Sequence, residues 1–299
     1  MIYSKLQTGA NPAFKRKEIV FSWPDIAIPV HPKGILEEAQ WLETANFNRI
    51  EAYRQRYRRF FFKEFNLDNP SGIKKVTLLL YPESKCVLNL NDTWVNQEVK
   101  PNQLNEIDLT GYARKGVNML FTGFPFVEGR KLFAARVIVE YYNYDRIEFG
   151  TDSSWLTTDY YSNPSLTREF PRPVAPVIVD KPEYADGITY DTFKEWSVQV
   201  PADALENLNN IYMRIKYSGD KAELYNGYML SDDDYNSHAT WTVGLNRQEH
   251  SVEGKNLKLV IYRLDNDEKI FFDLPVNGSD GKVEIKELGF NFERIQKID

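Results

Sequence analysis

Alternation of apolar and polar residues with period two is the feature that most limits how this chain can fold. It recurs in residues 86–91, 211–217 and 257–261, while short apolar runs fill residues 76–81 and 137–142. Period-two alternation is the pattern of a half-buried strand, and a short apolar run bounded by turns is typical of a buried one. The pattern therefore predicts a series of short β-strands.

Turn residues separate these stretches. Pro82-Glu83-Ser84 and Ser218-Gly219-Asp220 punctuate the pattern, and Asn226-Gly227 fits a type I′ hairpin turn. Helical spacing is confined to residues 35–42, directly after Pro32 and Gly34. Many short strands with turn signals are typical of β-sandwiches and jelly rolls. We therefore predict an all-β fold of two jelly-roll-like β-sandwich domains.

Prolines suggest where the two domains meet. Five of the 15 prolines fall in residues 161–187, and proline disfavours regular strand ladders. We predict a lead segment at 1–34, a first β-sandwich at 35–160, a Pro-rich linker at 161–187 and a second β-sandwich at 188–299. An extended strand at 177–179 is compatible with this linker.

Composition and charge restrict the classes of partner. Aromatic residues make up 14% of the chain. They favour strands and a large core, and any rings left at the surface are suited to stacking on sugars. The net charge is −6, and the cluster Arg54, Arg56, Arg58 and Arg59 fits one solvated face better than a nucleic-acid surface. A run of about 18 apolar residues occurs nowhere, so no membrane span is expected.

Most catalytic patterns are missing from the sequence. His31, His238 and His250 form no zinc-binding helix motif and are predicted at the surface or in turns, and neither a nucleophile elbow nor a phosphate-binding loop occurs. The single cysteine, Cys86, lies in a strand-like stretch and is predicted to be a buried structural thiol. We predict no catalytic residue, no metal and no cofactor.

One acidic stretch partly matches a calcium loop. Asp232, Asp234 and Asn236 fall at the first three ligand positions, but Ser237 and Val243 stand where glycine and the bidentate glutamate are required. A helical calcium hand is therefore rejected. A solvated turn and an irregular calcium site on a jelly roll remain as alternatives.

Five motifs in the first half of the chain follow a fixed order. They are Gln40-Trp41-Leu42, residues 58–67, residues 87–95, residues 108–118 and Thr151-Asp152-Ser153-Ser154-Trp155. The series resembles the sugar-binding, galactose-binding-like jelly rolls of bacterial α-L-rhamnosidases and family-2 β-galactosidases. Two positions depart from the usual pattern: Phe62 replaces an arginine, and Asn91-Asp92 replaces Asn-Gly. Asn and Asp both tolerate the left-handed backbone that a tight turn needs.

A second series covers part of the other half. It consists of residues 196–201, 215–227, 232–235 and 241–245. It resembles the carboxy-terminal β-sandwich of bacterial β-galactosidase-like proteins, in which the catalytic acids lie in a separate barrel or toroid. We expect Trp155 and Trp196 to pack at or near the two domain cores.

The two resemblances imply a function. They imply a non-catalytic accessory or carbohydrate-binding portion of a bacterial glycoside hydrolase system that degrades plant-type polysaccharide. The partners would be an oligosaccharide or polysaccharide and a catalytic glycosidase domain in a longer parent chain. The implied location is periplasmic or secreted, although residues 1–5 begin no apolar signal core. A ligand-free structural or docking module and a glycosidase with a sandwich-borne carboxylate pair are the alternatives; the 43 acidic residues do not identify such a pair.

Six residues are predicted to contact carbohydrate. Asn91, Asp92 and Trp94 follow a strand whose inward face is Cys86, Leu88 and Leu90. Amides and carboxylates bond sugar hydroxyls, and an indole offers an apolar face to a pyranose. The alternative for Trp94 is that it caps the core. In the second domain the candidates are Asn226, Tyr228 and Asp232.

Overall fold

The computed structural model describes residues 17–22, 27–44, 58–125, 130–158, 173–206, 208–236, 239–247, 251–263 and 282–297. Within them lie twenty strands: β1 (Lys17–Ser22), β2 (Val30–Lys33), β3 (Trp41–Glu43), β4 (Arg58–Leu67), β5 (Ile73–Pro82), β6 (Val87–Leu90), β7 (Thr93–Trp94), β8 (Asn105–Asp108), β9 (Gly116–Pro125), β10 (Leu132–Tyr141), β11 (Arg146–Gly150), β12 (Leu156–Thr158), β13 (Ile178–Val179), β14 (Phe193–Gln199), β15 (Asn210–Ser218), β16 (Lys221–Asn226), β17 (Met229–Tyr235), β18 (Trp241–Gly244), β19 (Asn256–Tyr262) and β20 (Glu284–Lys297). Three short 3₁₀ helices occupy Thr110–Tyr112, Glu183–Gly187 and Leu245–Arg247. The all-β prediction is confirmed, since these described residues contain no α-helix.

The described residues group into two compact units. The first unit comprises Lys33–Glu195 and Tyr228–Leu230, and the second takes the described residues within 1–32, 196–227 and 231–299. This grouping divides the chain inside β2, β14 and β17. The linker predicted at 161–187 stays a prediction: residues 161–172 fall outside the described part, and β13 in the remainder pairs with β3. The strand suggested at 177–179 is therefore present.

The first unit is a sandwich of two antiparallel sheets. One sheet has the order β13-β3-β10-β5-β8, with β11 also paired to β10, and the other has the order β12-β4-β9-β6-β7. Their facing side chains share one apolar cluster, which includes Leu78 and Val137 from the first sheet, Leu88 and Leu120 from the second, and Trp155. The predicted position of Trp155 is confirmed, because its side chain is fully buried.

The second unit also contains two sheets. Their orders are β1-β20-β15-β18 and β17-β16-β19-β14-β2. The predicted alternation in β15 is confirmed: Ile211, Met213, Ile215 and Tyr217 are buried in this unit's core. Trp196 packs against that core and is partly buried. Both units thus belong to the sandwich class, whereas the jelly-roll order of their strands stays a prediction.

The two predicted hairpins differ in their turns. Asn91 and Asp92 have φ of 53° and 64°, and Leu90 pairs with Thr93 across them. Positive φ at both central residues defines a type I′ turn. At Asn226-Gly227 only Gly227 has positive φ, so the type I′ prediction there is wrong. Asn226 instead ends β16 as a buried strand residue.

Several predicted features lie outside the described residues or at their edges. His238, His250, Arg54, Arg56 and Ser237 fall in stretches that the structure does not describe. His31 lies in β2 and is exposed, as predicted. In the described stretches, no helix has the length and apolar character needed to cross a bilayer.

Candidate functional site

The turn between β6 and β7 is held by the Asn91 side chain. Its Nδ2 donates to the Tyr112 carbonyl at 3.0 Å and to Asn118 Oδ1 at 2.8 Å, while its Oδ1 accepts from the Met119 amide at 3.0 Å. These bonds occupy both amide donors and one acceptor position. Asn91 therefore positions the hairpin and has little capacity left for the sugar contact predicted for it. Asp92, at the tip, is exposed.

Trp94 lies on β7, the edge strand of its sheet, and its side chain is 48% exposed. This exposure favours a surface role for Trp94 over the alternative in which it caps the core. The ring lines an open pocket of about 500 Å³. Ligand pockets for small molecules commonly fall between about 300 and 1,000 Å³.

The pocket has an apolar floor and a polar rim. Its lining residues are Lys85, Cys86, Val87, Leu88, Trp94, Val95, Gln97, Glu98, Val99 and Gly123. Leu88 and Val99 also belong to the core of the first unit. Lys85, Gln97 and Glu98 are exposed, and the Gln97 amide donates to the Glu106 carbonyl at 2.8 Å. A cation, an amide and a carboxylate thus surround an aromatic wall.

Cys86 forms part of the apolar floor. Its side chain is buried, as the sequence predicted. Burial raises the pKa of the Cys86 thiol to about 12. At neutral pH it is a protonated, weakly polar group, which agrees with a structural thiol and argues against a nucleophile.

Gly123 is required by the packing at the pocket edge. A Cβ at this position would lie 2.6 Å from Phe60 Cε1 and 3.1 Å from Val87 Cγ2. We expect Gly123→Ala to lower the free energy of unfolding by about 1–3 kcal/mol, because the Phe60 ring must move. Urea unfolding monitored by circular dichroism measures this loss. Gly111→Ala is the control, since nothing lies within 4 Å of its added Cβ; equal losses in the two variants would contradict the packing argument.

The predicted residues of the second domain are placed differently. Asn226 is buried, and its Nδ2 donates to the Ser251 carbonyl at 3.4 Å. Asp232 is part-buried on β17, and burial together with the nearby Asp233 and Asp234 charges raises the pKa of its carboxyl. Tyr228 belongs to the first unit and is 57% exposed. Their predicted contact with carbohydrate stays a prediction.

The partial calcium motif is a strand in the structure. Asp232 and Asp234 lie on β17. Asp234 accepts a hydrogen bond from Tyr217 Oη at 2.8 Å, and Asn236 Nδ2 donates to the Gly219 carbonyl at 2.7 Å. Among the described residues, no group of three metal-ligating side chains converges. The motif residues therefore serve strand and turn contacts.

Two buried charge clusters bear on the glycosidase alternative. In the first unit, Glu195 contacts Arg136 Nη2 at 2.8 Å and Arg146 Nη2 at 3.0 Å, and Glu148 pairs with the same two arginines. In the second unit, burial opposes ionisation of Glu223, but the Lys221 ammonium outweighs it and holds the pKa of Glu223 below its usual value. A general acid needs a raised pKa. The contacts of these glutamates are those of structural ion pairs.

Sequence reasoning located the hairpin but missed most of the pocket. The polar rim residues Lys85, Gln97 and Glu98 stand in no motif, and their spacing has no period. These three residues lie outside strands, on the segments that flank β6 and β7. Only this position could have indicated a binding role, since binding residues are frequent on loops held by a rigid scaffold.

Comparison with known proteins gives distant likenesses in structure. No family model matches the chain, and neither does any curated protein sequence. An α-L-rhamnosidase from Streptomyces avermitilis, complexed with L-rhamnose, is 13% identical with a TM-score of 0.40 over 83% of this chain and 25% of that chain. The α-L-rhamnosidase from Aspergillus terreus is 12% identical with a TM-score of 0.39 over 88% of this chain and 36% of that one.

A Pleurotus ostreatus lectin in complex with GalNAc is a third such structure. It is 10% identical with a TM-score of 0.36, over 81% of this chain and 79% of that chain. The present chain spans 25% and 36% of the two rhamnosidases. The α-L-rhamnosidases, whose jelly rolls the sequence motifs resemble, are thus among the structural neighbours. The similarity is low, so the function has to be argued from the pocket.

Proposed function

We propose that the chain is a non-catalytic, carbohydrate-binding portion of a bacterial glycoside hydrolase system that acts on plant-type polysaccharide in the periplasm or outside the cell. The observation that carries the proposal is the half-exposed Trp94 ring in the wall of the 500 Å³ pocket. The sequence resemblance of residues 38–158 to sugar-binding jelly rolls supports it. The catalytic domain would lie in a longer parent chain or a separate enzyme.

The chemistry of the pocket suits a pyranose. One face of a sugar ring carries C–H groups that pack on an indole, while its edge carries hydroxyls that need donors and acceptors. Trp94 provides the flat apolar wall. Lys85 offers donors, Glu98 offers acceptors and Gln97 offers both, so the rim can bond hydroxyls around the ring.

The same lining argues for binding without hydrolysis. Glycosidases place two carboxyl groups about 5–10 Å apart across the scissile bond. Of the described residues that line the pocket, Glu98 alone carries a carboxylate. The buried Glu195 and the part-buried Glu148 are both engaged by arginines, which are the contacts of structural ion pairs.

Calorimetric titration with pectic and galactan oligosaccharides tests the proposal. We expect the wild type to bind at least one of them, and Trp94→Ala to bind it at least about tenfold more weakly, because an aromatic contact contributes on the order of 1.5 kcal/mol. Tyr142→Ala is the matched control: Tyr142 is 66% exposed and does not line the pocket. It should bind as the wild type does.

Three other results would overturn the proposal. Equal affinity of wild type and a folded Trp94→Ala would place the sugar elsewhere. Failure of the wild type to bind any sugar of the panel would favour the structural or docking module. Turnover of nitrophenyl galactoside or rhamnoside that one Asp or Glu substitution abolishes would instead identify an enzyme.

A further inference from the structure

One row of side chains crosses the whole β12-β4-β9-β6-β7 sheet on the face turned away from the core. The ladder registers align Leu156 with Phe62, Phe62 with Phe121, Phe121 with Asn89, and Asn89 with Trp94. Residues directly opposite in antiparallel strands project to the same face. Asn89 is the one polar member of this row, and it stands next to Trp94.

The amide of Asn89 has no hydrogen-bond partner. Its side chain is fully buried, and both Nδ2 and Oδ1 are unsatisfied. An unsatisfied buried polar atom loses its hydration without gaining a bond in return, so it destabilises the fold. Buried amides are nearly always bonded, so a buried amide without a partner requires an explanation.

The position of Asn89 connects it to the pocket. Val87 precedes it by two residues on β6, and Val87 pairs with Gly123. Val87, Gly123 and Trp94 therefore share the face of Asn89, and all three line the pocket. The row meets the pocket at its β7 end.

Of the two residues that pair with Asn89, Trp94 has the more exposed side chain. The Val95 amide donates to the Leu88 carbonyl at 3.0 Å, so the adjacent pair Asn89–Trp94 is a non-hydrogen-bonded pair, in which side chains lie closest. On the other side, Phe121 is buried and packs on Phe62 with ring centroids 5.5 Å apart. Trp94 is half-exposed on a two-residue edge strand.

We propose that Asn89 is the polar specificity residue of the pocket and that Trp94 swings aside to admit a sugar to it. This inference rests on the proposed carbohydrate-binding function. The amide presents one donor and one acceptor side by side, which matches two adjacent hydroxyls of a pyranose: one accepts from Nδ2 and the other donates to Oδ1. The ligand class is therefore a pyranose with a free vicinal diol, its C–H face resting on the displaced indole.

The test replaces Asn89 by leucine, which has the same number and branching of side-chain heavy atoms and no polar atom. Removing an orphan amide should raise the melting temperature by about 2–4 °C. The same variant should bind galactan or pectic oligosaccharides at least about tenfold more weakly than the wild type, since two hydrogen bonds to the sugar are lost. Calorimetry and thermal unfolding provide the two readouts.

Thr122→Val is the matched control. Thr122 is buried, its Oγ1 is also unsatisfied, and it pairs with Leu88 on the core face of the same sheet. Its replacement should raise the melting temperature in the same way and leave sugar affinity unchanged. The comparison separates removal of an orphan atom from loss of a ligand contact.

Each other outcome is decisive. If the wild type binds and Asn89→Leu binds equally well, the role of Asn89 is overturned while the carbohydrate-binding function stands. If Asn89→Leu melts at a lower temperature or fails to fold, the sugar titration is repeated with the smaller Asn89→Ala, and wild-type affinity of that variant overturns the inference. If the wild type binds no sugar of the panel, the proposed function fails and this inference fails with it.

Discussion

Glu195→Gln is expected to lower the free energy of unfolding by about 3–5 kcal/mol. Glu195 is buried and contacts Arg136 Nη2 at 2.8 Å and Arg146 Nη2 at 3.0 Å. Glu148 completes the cluster by pairing with both arginines. Two positive and two negative charges of described residues thus meet inside the first unit, and the substitution removes one of the two negative charges.

The size of the effect follows from desolvation. Each charged group loses its hydration on folding, and only the opposite charge and good hydrogen bonds compensate for that loss. Arg136 Nη1 also donates to the Ile35 carbonyl at 3.1 Å, and the Arg146 guanidinium lies 5.3 Å from the centre of the Phe193 ring. Neither contact neutralises a charge, so neither can replace Glu195.

Urea unfolding of wild type and Glu195→Gln measures the loss. Glu106→Gln is the control, because Glu106 pairs with Lys75 at 3.8 Å on the exposed surface of the same unit. Exposed pairs contribute up to about 1 kcal/mol, so the control should change little. Losses of the same size in both variants would show that the cluster is no more important than a surface pair.

The sequence motifs predicted the fold because their residues hold the fold together. In Thr151-Asp152-Ser153-Ser154-Trp155, the Thr151 hydroxyl donates to the Gln40 carbonyl at 2.6 Å, and Trp155 Nε1 donates to the Gly150 carbonyl at 3.0 Å. Asp108 Oδ1 accepts from the Thr110 amide at 2.8 Å. The Asp108 and Trp155 bonds are local, so a short motif contains much of the information for them. The Thr151 bond reaches another motif of the series, 111 residues away.

The remaining features depend on contacts that no local pattern encodes. Glu195 lies 49 residues from Arg146 and 59 from Arg136, and a charged residue within a strand reads as solvent-facing unless its partners are known. Asn89 likewise reads as the polar half of an alternating strand, yet it is fully buried. The grouping of the described residues into two units also depends on tertiary contacts, whereas proline content reflects only the local stiffness of the backbone.

Asn118 joins the motif-based fold to the pocket hairpin. It is fully buried, and its Nδ2 donates to the Arg114 carbonyl at 2.7 Å and to the Gly116 carbonyl at 2.8 Å. Its Oδ1 accepts from the Arg114 amide at 2.9 Å and from Asn91 Nδ2 at 2.8 Å. One side chain thus fixes the loop before β9 and the residue that holds the β6–β7 turn.

Asn118→Ala should therefore lower the free energy of unfolding by about 2–4 kcal/mol, because it leaves several part-buried backbone and side-chain groups without partners. Its effect should extend to the pocket: the Asn91 amide loses one of its two acceptors, so the turn that carries Trp94 becomes less rigid and sugar affinity falls. Urea unfolding and oligosaccharide titration measure the two effects.

Asn66→Ala is the control on the neighbouring strand β4, since Asn66 is exposed and bonds Asp68 two residues away. It should change the free energy of unfolding by less than about 0.5 kcal/mol. If Asn118→Ala is as stable as Asn66→Ala, the four bonds of Asn118 do not hold the loop. If Asn118→Ala is destabilised but binds sugar with wild-type affinity, the hairpin is positioned without Asn118.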